Sequence, residues 1–447
     1  MISELLLLLT VLFLAIEIQK YFKIPSPVSL LLLSYLSFYI FPHLRIFSQE
    51  NFAELVLFLI PILITADALQ MDLEDLKKNA LSLIFLAVVA VILSLFFGYW
   101  TAEIFFSEYG LGAGALIALF AMVLATDPVS VVSVFSSFKV PHRLKILAEG
   151  ESLFNDATAL IIFSFIALPM MEGAQIGPVD IAVVSVKVLL LSVVIGLVIG
   201  FLGIQLMRTT ENGMSELMVI LLTAYSSFEM AEHFHVSGLL AVIVAIITLN
   251  TITQKSLREI DRRVRKGKRI LDRTNRSKKI FSHRFMSRIT RRLGSDITEI
   301  EQHKLNMQYV SVLALLANAF LFISMASIVH VDLLIKYSRE IFWMFVVTTL
   351  IRAFMMALFA LLSNKREEMT DISFRWWSVL LFAGIKGGLS IVMLQMLPEN
   401  FAHREMFEAI VVGVILLSTL LYALALVVII SMNKISFEKE YSLEHHH

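Results

Sequence analysis

The sequence predicts an all-α polytopic membrane protein. Three observations carry the prediction. Of 447 residues, 58% are hydrophobic and only 17% are charged, far from the balance of a soluble globular chain. The apolar residues fall into runs matching the roughly 20 residues that a helix needs to cross a bilayer. The basic residues between those runs fall on one side of the expected membrane far more often than on the other.

In chain order the expected spans are 3–22, 26–44, 52–71, 80–106, 111–137, 146–171, 179–206, 213–233, 236–253, 307–330, 335–363, 372–397 and 404–432. That makes roughly 13 transmembrane helices, and an odd number puts the termini on opposite sides. Lys20/Lys23, Lys77/Lys78, Lys139/Arg143/Lys145, Arg208, Lys365/Arg366/Arg375 and Lys434/Lys439 share one side. The other side has only Arg45, Lys336, Arg339 and Arg404. The basic side is cytoplasmic, so the N-terminus is expected outside and the C-terminus inside. Leu5–Ile16 lacks a basic start and a small-residue cleavage site and reads as a retained span, while Leu443–His447 reads as an expression tag. Cysteine is absent, which excludes disulfides and thiol chemistry.

Four parts follow: N-terminal spans (1–253), a basic cytoplasmic linker (254–306), C-terminal spans (307–432), and a cytoplasmic tail with the tag (433–447). The linker carries 17 Lys/Arg against 6 Asp/Glu. Leu257, Ile260, Val264 and Leu271 recur at helical spacing, as do Phe281, Phe285 and Ile289. This reads either as basic amphipathic helices on the cytoplasmic leaflet or as a solvated helical linker. No nucleic-acid partner is expected.

Polar strings interrupt two of the spans. Charged side chains near the bilayer centre cost roughly 2.5–3.5 kcal/mol each, so Asp127, Glu149, Glu151 and Asp156 together would cost on the order of 10 kcal/mol if ionised and unpaired. An ion or proton site is the default reading of such residues. In 111–137, Pro128 lacks an amide hydrogen and clashes with the preceding turn, so the helix should break near Thr126-Asp127. Freed carbonyls and the Thr126 hydroxyl can then line a cavity. The simpler alternative is an Asp that caps the restarted helix, and the two roles are compatible. In 146–171, Ser152 and Asp156 lie one turn apart on one face, with Glu151 and Asn155 on the neighbouring strip. Carboxylate, hydroxyl, amide and carbonyl oxygens suit a hard cation. With one or two carboxylates the set fits a monovalent ion. Desolvation disfavours a bare carboxylate, so Asp156 is suited to exchange a proton for a cation.

Arg352 sits mid-span and needs a buried partner. Glu151 is the first choice and Glu149 the second, as a structural clamp. Lys386 lies in Gly384-Ile385-Lys386-Gly387-Gly388, where the glycines favour an irregular or closely packed backbone. A second broken span there would match the first across an inverted repeat. The alternative is close helix packing at small residues.

In this order the strings resemble prokaryotic NhaP-type sodium/proton antiporters, relatives of the eukaryotic sodium/proton exchangers. The resemblance rests on Thr126-Asp127-Pro128, Glu151-Ser152-Leu153-Phe154-Asn155-Asp156, His235-Val236-Ser237-Gly238-Leu239-Leu240-Ala241, Asn318 with Leu321-Phe322, Arg352, and Gly384-Ile385-Lys386-Gly387. It implies an antiporter fold of 13 spans with inverted repeats and broken crossing helices, and a homodimer. It implies that Asp156 exchanges cation and proton, that Asp127, Thr126 and Ser152 complete the site, that Asn155 braces it, and that Glu151 and Arg352 pair. Sodium is expected at Asp127, Ser152 and Asp156, with Lys386 in support. Asn155 beside Asp156 resembles the electroneutral branch. Lys386 stands where the family often has Arg, and Thr65-Ala66-Asp67-Ala68-Leu69 replaces its Glu-Ala-Gly-Leu pattern.

The expected function is sodium or lithium exchange for protons in the plasma (inner) membrane. Potassium/proton exchange at the same site is the alternative. A membrane sensor acting through the linker, or an intramembrane enzyme, is the rival from another class. An enzyme would need clustered acidic motifs for magnesium or a nucleophile arrangement, and the sequence has neither. No cofactor is expected beyond the transported ions.

Overall fold

A computed structural model describes every residue except 1, 23–25, 42–48, 211, 278–282, 329–330 and 446–447. The helices in order are α1 Ile2–Phe22, α2 Ser26–Ile40, α3 Gln49–Gln70, α4 Leu73–Lys78, α5 Ala80–Ile84, α6 Ala90–Phe105, α7 Ala113–Leu124, α8 Pro128–Phe135, α9 His142–Ile162, α10 Leu168–Met171, α11 Pro178–Met207, α12 Gly213–His233, α13 Gly238–Ser277, α14 His283–Ile328, α15 Val331–Lys336, α16 Ser338–Ser363, α17 Phe374–Phe382, α18 Gly388–Gln395, α19 Arg404–Met432 and α20 Lys434–His445. Single π-helical turns, Phe85–Val89 and Phe163–Ala167, join α5 to α6 and α9 to α10. Pro169 follows the second of these, where its missing N–H would otherwise close a bond to residue 165.

Over the described residues, every expected span coincides with helix. Seven segments among the described residues are long and apolar enough to cross a membrane on their own: Ala80–Ala102, His142–Met171, Pro178–Met207, Gly238–Arg265, Ile300–Ala326, Ser338–Ser363 and Arg404–Met432. Two expected spans are broken. Span 111–137 divides into α7 and α8, and span 372–397 into α17 and α18.

The chain forms two compact units. One comprises 1–63, 74–190 and 315–447. At its centre lies α7, whose Ala118, Leu119, Phe120, Ala121 and Met122 are fully enclosed. A half-helix too short to span the membrane must be held by packing, and α7 is wrapped on nearly all sides. The tail is a docked helix. Phe437 of α20 is buried, and Glu440 accepts from Arg375 (2.8 Å) and from Trp376 Nε1 (2.9 Å) at the start of α17.

The second unit comprises 64–73 and 191–314. Gly196 and Gly200 of α11 meet the α13 backbone. Added Cβ atoms there would lie 2.6 Å from the Ala241 carbonyl and 2.8 Å from that of Ala245, the close approach that small residues permit between membrane helices. Asn250 donates to the Leu69 and Met71 carbonyls at 2.8 and 3.1 Å, satisfying acceptors that the end of α3 leaves open. Neither α13 nor α14 stops where the sequence places the linker. Helix continues from α13 to Ser277 and resumes at His283. Ile260 and Val264 are buried against Leu257, Ile297 and Ile300, so the apolar stripe pairs the two helical extensions. The side chains of Leu271, Phe285 and Ile289, and all of Phe281, lie outside the described residues.

Candidate ion-binding site

The site is built where the interrupted helices meet. After α7 the backbone turns extended at Ala125 (φ −55°, ψ 141°), then α8 starts at Pro128. Asp127 precedes that proline in the N-cap position. Its Oδ2 accepts from the Ser130 N–H at 3.2 Å and from the Ser130 hydroxyl. Proline at the first helical position costs no bond, and an aspartate before it satisfies a free amide of the first turn. The capping role is therefore real.

The second break faces the first. The Asp127 N–H donates to the Ile385 carbonyl at 2.7 Å, tying one extended segment to the other. Gly387 allows the approach. A Cβ there would overlap Asp127 Cβ and lie 2.9 Å from its Cγ, and one at Gly384 would overlap the Arg352 guanidinium. Lys386 lies between them and is buried. Its N–H donates to Ser418 Oγ and its Nζ to the Leu124 carbonyl, both at 3.2 Å.

Helix α9 brings Glu151, Ser152, Asn155 and Asp156 to this crossing, all buried; Glu149, also buried, lies nearer the start of the helix. The Thr126 N–H donates to Asp156 Oδ1 at 2.8 Å. The Ser152 hydroxyl donates to Thr126 Oγ1 at 2.8 Å. Asn155 Nδ2 donates to the Leu124 carbonyl at 3.1 Å and lies 3.4 Å from Thr126 Oγ1. Asn155 Oδ1 has no partner among the described residues. The structure thus joins Thr126, Ser152, Asn155 and Asp156 directly, and Asp127 through the adjoining backbone.

Arg352 is bidentate to Glu151, with both N–O distances 3.0 Å. It also donates to the Leu380 and Leu381 carbonyls at 2.9 Å each. Glu149, the second choice of partner, instead pairs with Lys145 four residues earlier, at 3.5 Å. Both half-helices that end at the crossing therefore have their last carbonyls met by a buried cation. Lys386 serves α7 and Arg352 serves α17. A helix C-terminus carries partial negative charge and open acceptors, which water cannot satisfy at this depth.

Sequence reasoning missed Ser130 and Ser418. Ser130 was readable: Asp-Pro-x-Ser places a donor in the first turn of a helix capped by Asp. Ser418 carried no signal, because it reaches Lys386 from 32 residues away. Glu232 and His235 take a structural role. Glu232 accepts from the Gly238 N–H at 3.2 Å, and His235 adopts φ 54° in the turn between α12 and α13.

Interrupted helices that cross, with the Asp127 and Asp156 carboxylates beside hydroxyls and with buried cations at the helix ends, match the arrangement in which secondary transporters build their ion sites. Comparison with known proteins agrees. The model of the family "Sodium/hydrogen exchanger, transmembrane" matches residues 6–266, and the chain belongs to that family. It is 29% identical over 385 residues to the Na(+)/H(+) antiporter NhaG of Bacillus atrophaeus, covering 84% of this chain and 63% of that protein's length. It is 26% identical over 438 residues to the Na(+)/H(+) antiporter NhaH of Halobacillus aidingensis, covering 95% of both. The fold is similar to that of the sodium proton antiporter MjNhaP1 from Methanocaldococcus jannaschii at pH 8, with a TM-score of 0.66, 17% identity, and coverage of 94% of this chain and 99% of that one.

Proposed function

We propose that the chain exchanges sodium or lithium for protons across the plasma membrane by alternating access. The observation that carries this reading is the Asp156 carboxylate, held by the Thr126 amide at the helix crossing. The oxygens of Ser152, Thr126 and Asp127 complete a hard, monovalent site. A carboxylate oxygen that holds a proton cannot hold a cation as well, so the two ions compete, and competition at one site produces exchange. Asn155, rather than a second carboxylate, stands beside Asp156. One exchanging charge supports one-for-one, electroneutral turnover. The names of the Bacillus and Halobacillus relatives favour sodium over potassium. The N-terminus lies outside and the C-terminus in the cytoplasm, as the basic loops require, and the working unit is a homodimer.

The test is proteoliposomes loaded with a pH dye, to which Na⁺, Li⁺ or K⁺ is added. Sodium and lithium should move protons and potassium should not. Asp156→Asn keeps the volume and removes the exchanging charge. It should abolish the signal while the purified protein remains folded. Near-normal exchange by Asp156→Asn would end this reading.

A further inference from the structure

We infer that the basic cleft between the extensions of α13 and α14 holds the headgroup of an anionic phospholipid from the cytoplasmic leaflet. The cleft has a volume of 710 Å³, within the usual range for a small-molecule site. Arg258, Arg262, Arg265 and Lys304 line it against the single carboxylate of Asp261. Two of these cations are already engaged, Arg258 with Asp72 and Arg265 with Asp261 (2.8 Å). Arg262 and Lys304 form no ion pair with the described residues, and both are exposed. They stand on different helices and face the same cleft, so a phosphate between them would be held from two sides.

His303 adds a second observation. It lines the same cleft and is only 6% exposed. Its Nδ1 lies 2.5 Å from Glu216 Oε1, and its Nε2 has no partner among the described residues. A buried ring nitrogen without a partner, in a residue that lines a basic cleft, is a polar atom that calls for one.

Position selects a lipid over a soluble anion. The apolar segments Gly238–Arg265 and Ile300–Ala326 end at this cleft, at the edge of the membrane. Leu257, Ile300 and Met307 supply apolar wall beside the cations. Basic pockets between membrane helices on the cytoplasmic side suit anionic headgroups. The exchanging site plays no part in this inference.

The test is native mass spectrometry of the detergent-purified full chain, titrated with phosphatidylglycerol, phosphatidylcholine or inorganic phosphate. Phosphatidylglycerol should be retained over phosphatidylcholine, and R262Q/K304Q should lower that preference on the order of tenfold. K255Q/R263Q removes the same charge from exposed α13 positions outside the cleft and should leave the preference intact. Both double variants must melt like the parent chain. If R262Q/K304Q does not, the single variants R262Q and K304Q, each expected to lose part of the preference, replace it. Equal retention of the two lipids, or equal losses in both double variants, would overturn the cleft as a site. Displacement of phosphatidylglycerol by millimolar inorganic phosphate would overturn the lipid as its occupant.

Discussion

Asp127 can serve both as a helix cap and as an ion ligand, and one substitution separates the roles. Asparagine caps about as well as aspartate, so Asp127→Asn should leave the melting temperature within the equivalent of about 0.5 kcal/mol. Loss of the charge should weaken apparent sodium affinity on the order of tenfold, equivalent to about 1.4 kcal/mol. Unchanged sodium dependence in liposomes would reduce Asp127 to a cap. Gly387 gives a steric test of the crossing. Gly387→Ala would drive a methyl group into Asp127, and overpacking of this kind costs about 1–3 kcal/mol. Thermal unfolding and exchange should both suffer. Gly112→Ala, where an added Cβ meets nothing within 4 Å, should leave exchange intact and cost only the small helix-cap difference between glycine and alanine, about 0.5 kcal/mol.

At the scale of the element, three of the four half-helix ends at the crossing are met by a charge or a cap. Asp127 and Ser130 close the start of α8. Lys386 and Asn155 close the end of α7, and Arg352 closes the end of α17. Arg352 is also the partner of Glu151. Removing one member of a buried ion pair strands the other and costs about 3–5 kcal/mol. Arg352→Ala should therefore lower thermal stability in detergent more than Asp156→Asn does. A double-mutant cycle with Glu151→Ala should show strong coupling. Additive effects would assign the stabilisation to the Leu380 and Leu381 carbonyls instead of to Glu151.

For the whole molecule, the consequence of a shared site is a characteristic pH profile. Protons and sodium contend for Asp156, so apparent sodium affinity must weaken as pH falls. Well below the pKa of the site, the half-saturating sodium concentration should rise about tenfold per pH unit. At high pH on both sides sodium binds readily but protons are scarce, so turnover falls. Exchange measured at symmetrical pH should trace a bell whose acid limb moves to lower pH as sodium is raised. An acid limb that stays fixed across sodium concentrations would place pH control at a separate group.

Much of this molecule was legible in the chain. Apolar run length set the helices, because a lipid environment leaves the backbone no partner but itself. Pro128 announced the first break, because a missing amide hydrogen is a local property. Four-residue spacing put Ser152 and Asp156 on one face of α9, and a lone mid-span arginine demanded a carboxylate. Glu151, the first choice, met that demand, and Glu149, the second, pairs with Lys145 instead. Other features emerged only in three dimensions. The unbroken run of α13 from its membrane span into the basic segment as far as Ser277 is one, and the cleft it forms with α14 is another. The pairing of Lys386 with the Leu124 carbonyl spans 262 positions, and that of Asp127 with Ile385 crosses from one broken helix to the other. Local sequence determines where a helix forms, breaks and which face it presents, through hydrogen bonds and sterics within a few residues. Which distant carbonyl a buried cation satisfies depends on packing between elements, and only the folded chain decides it.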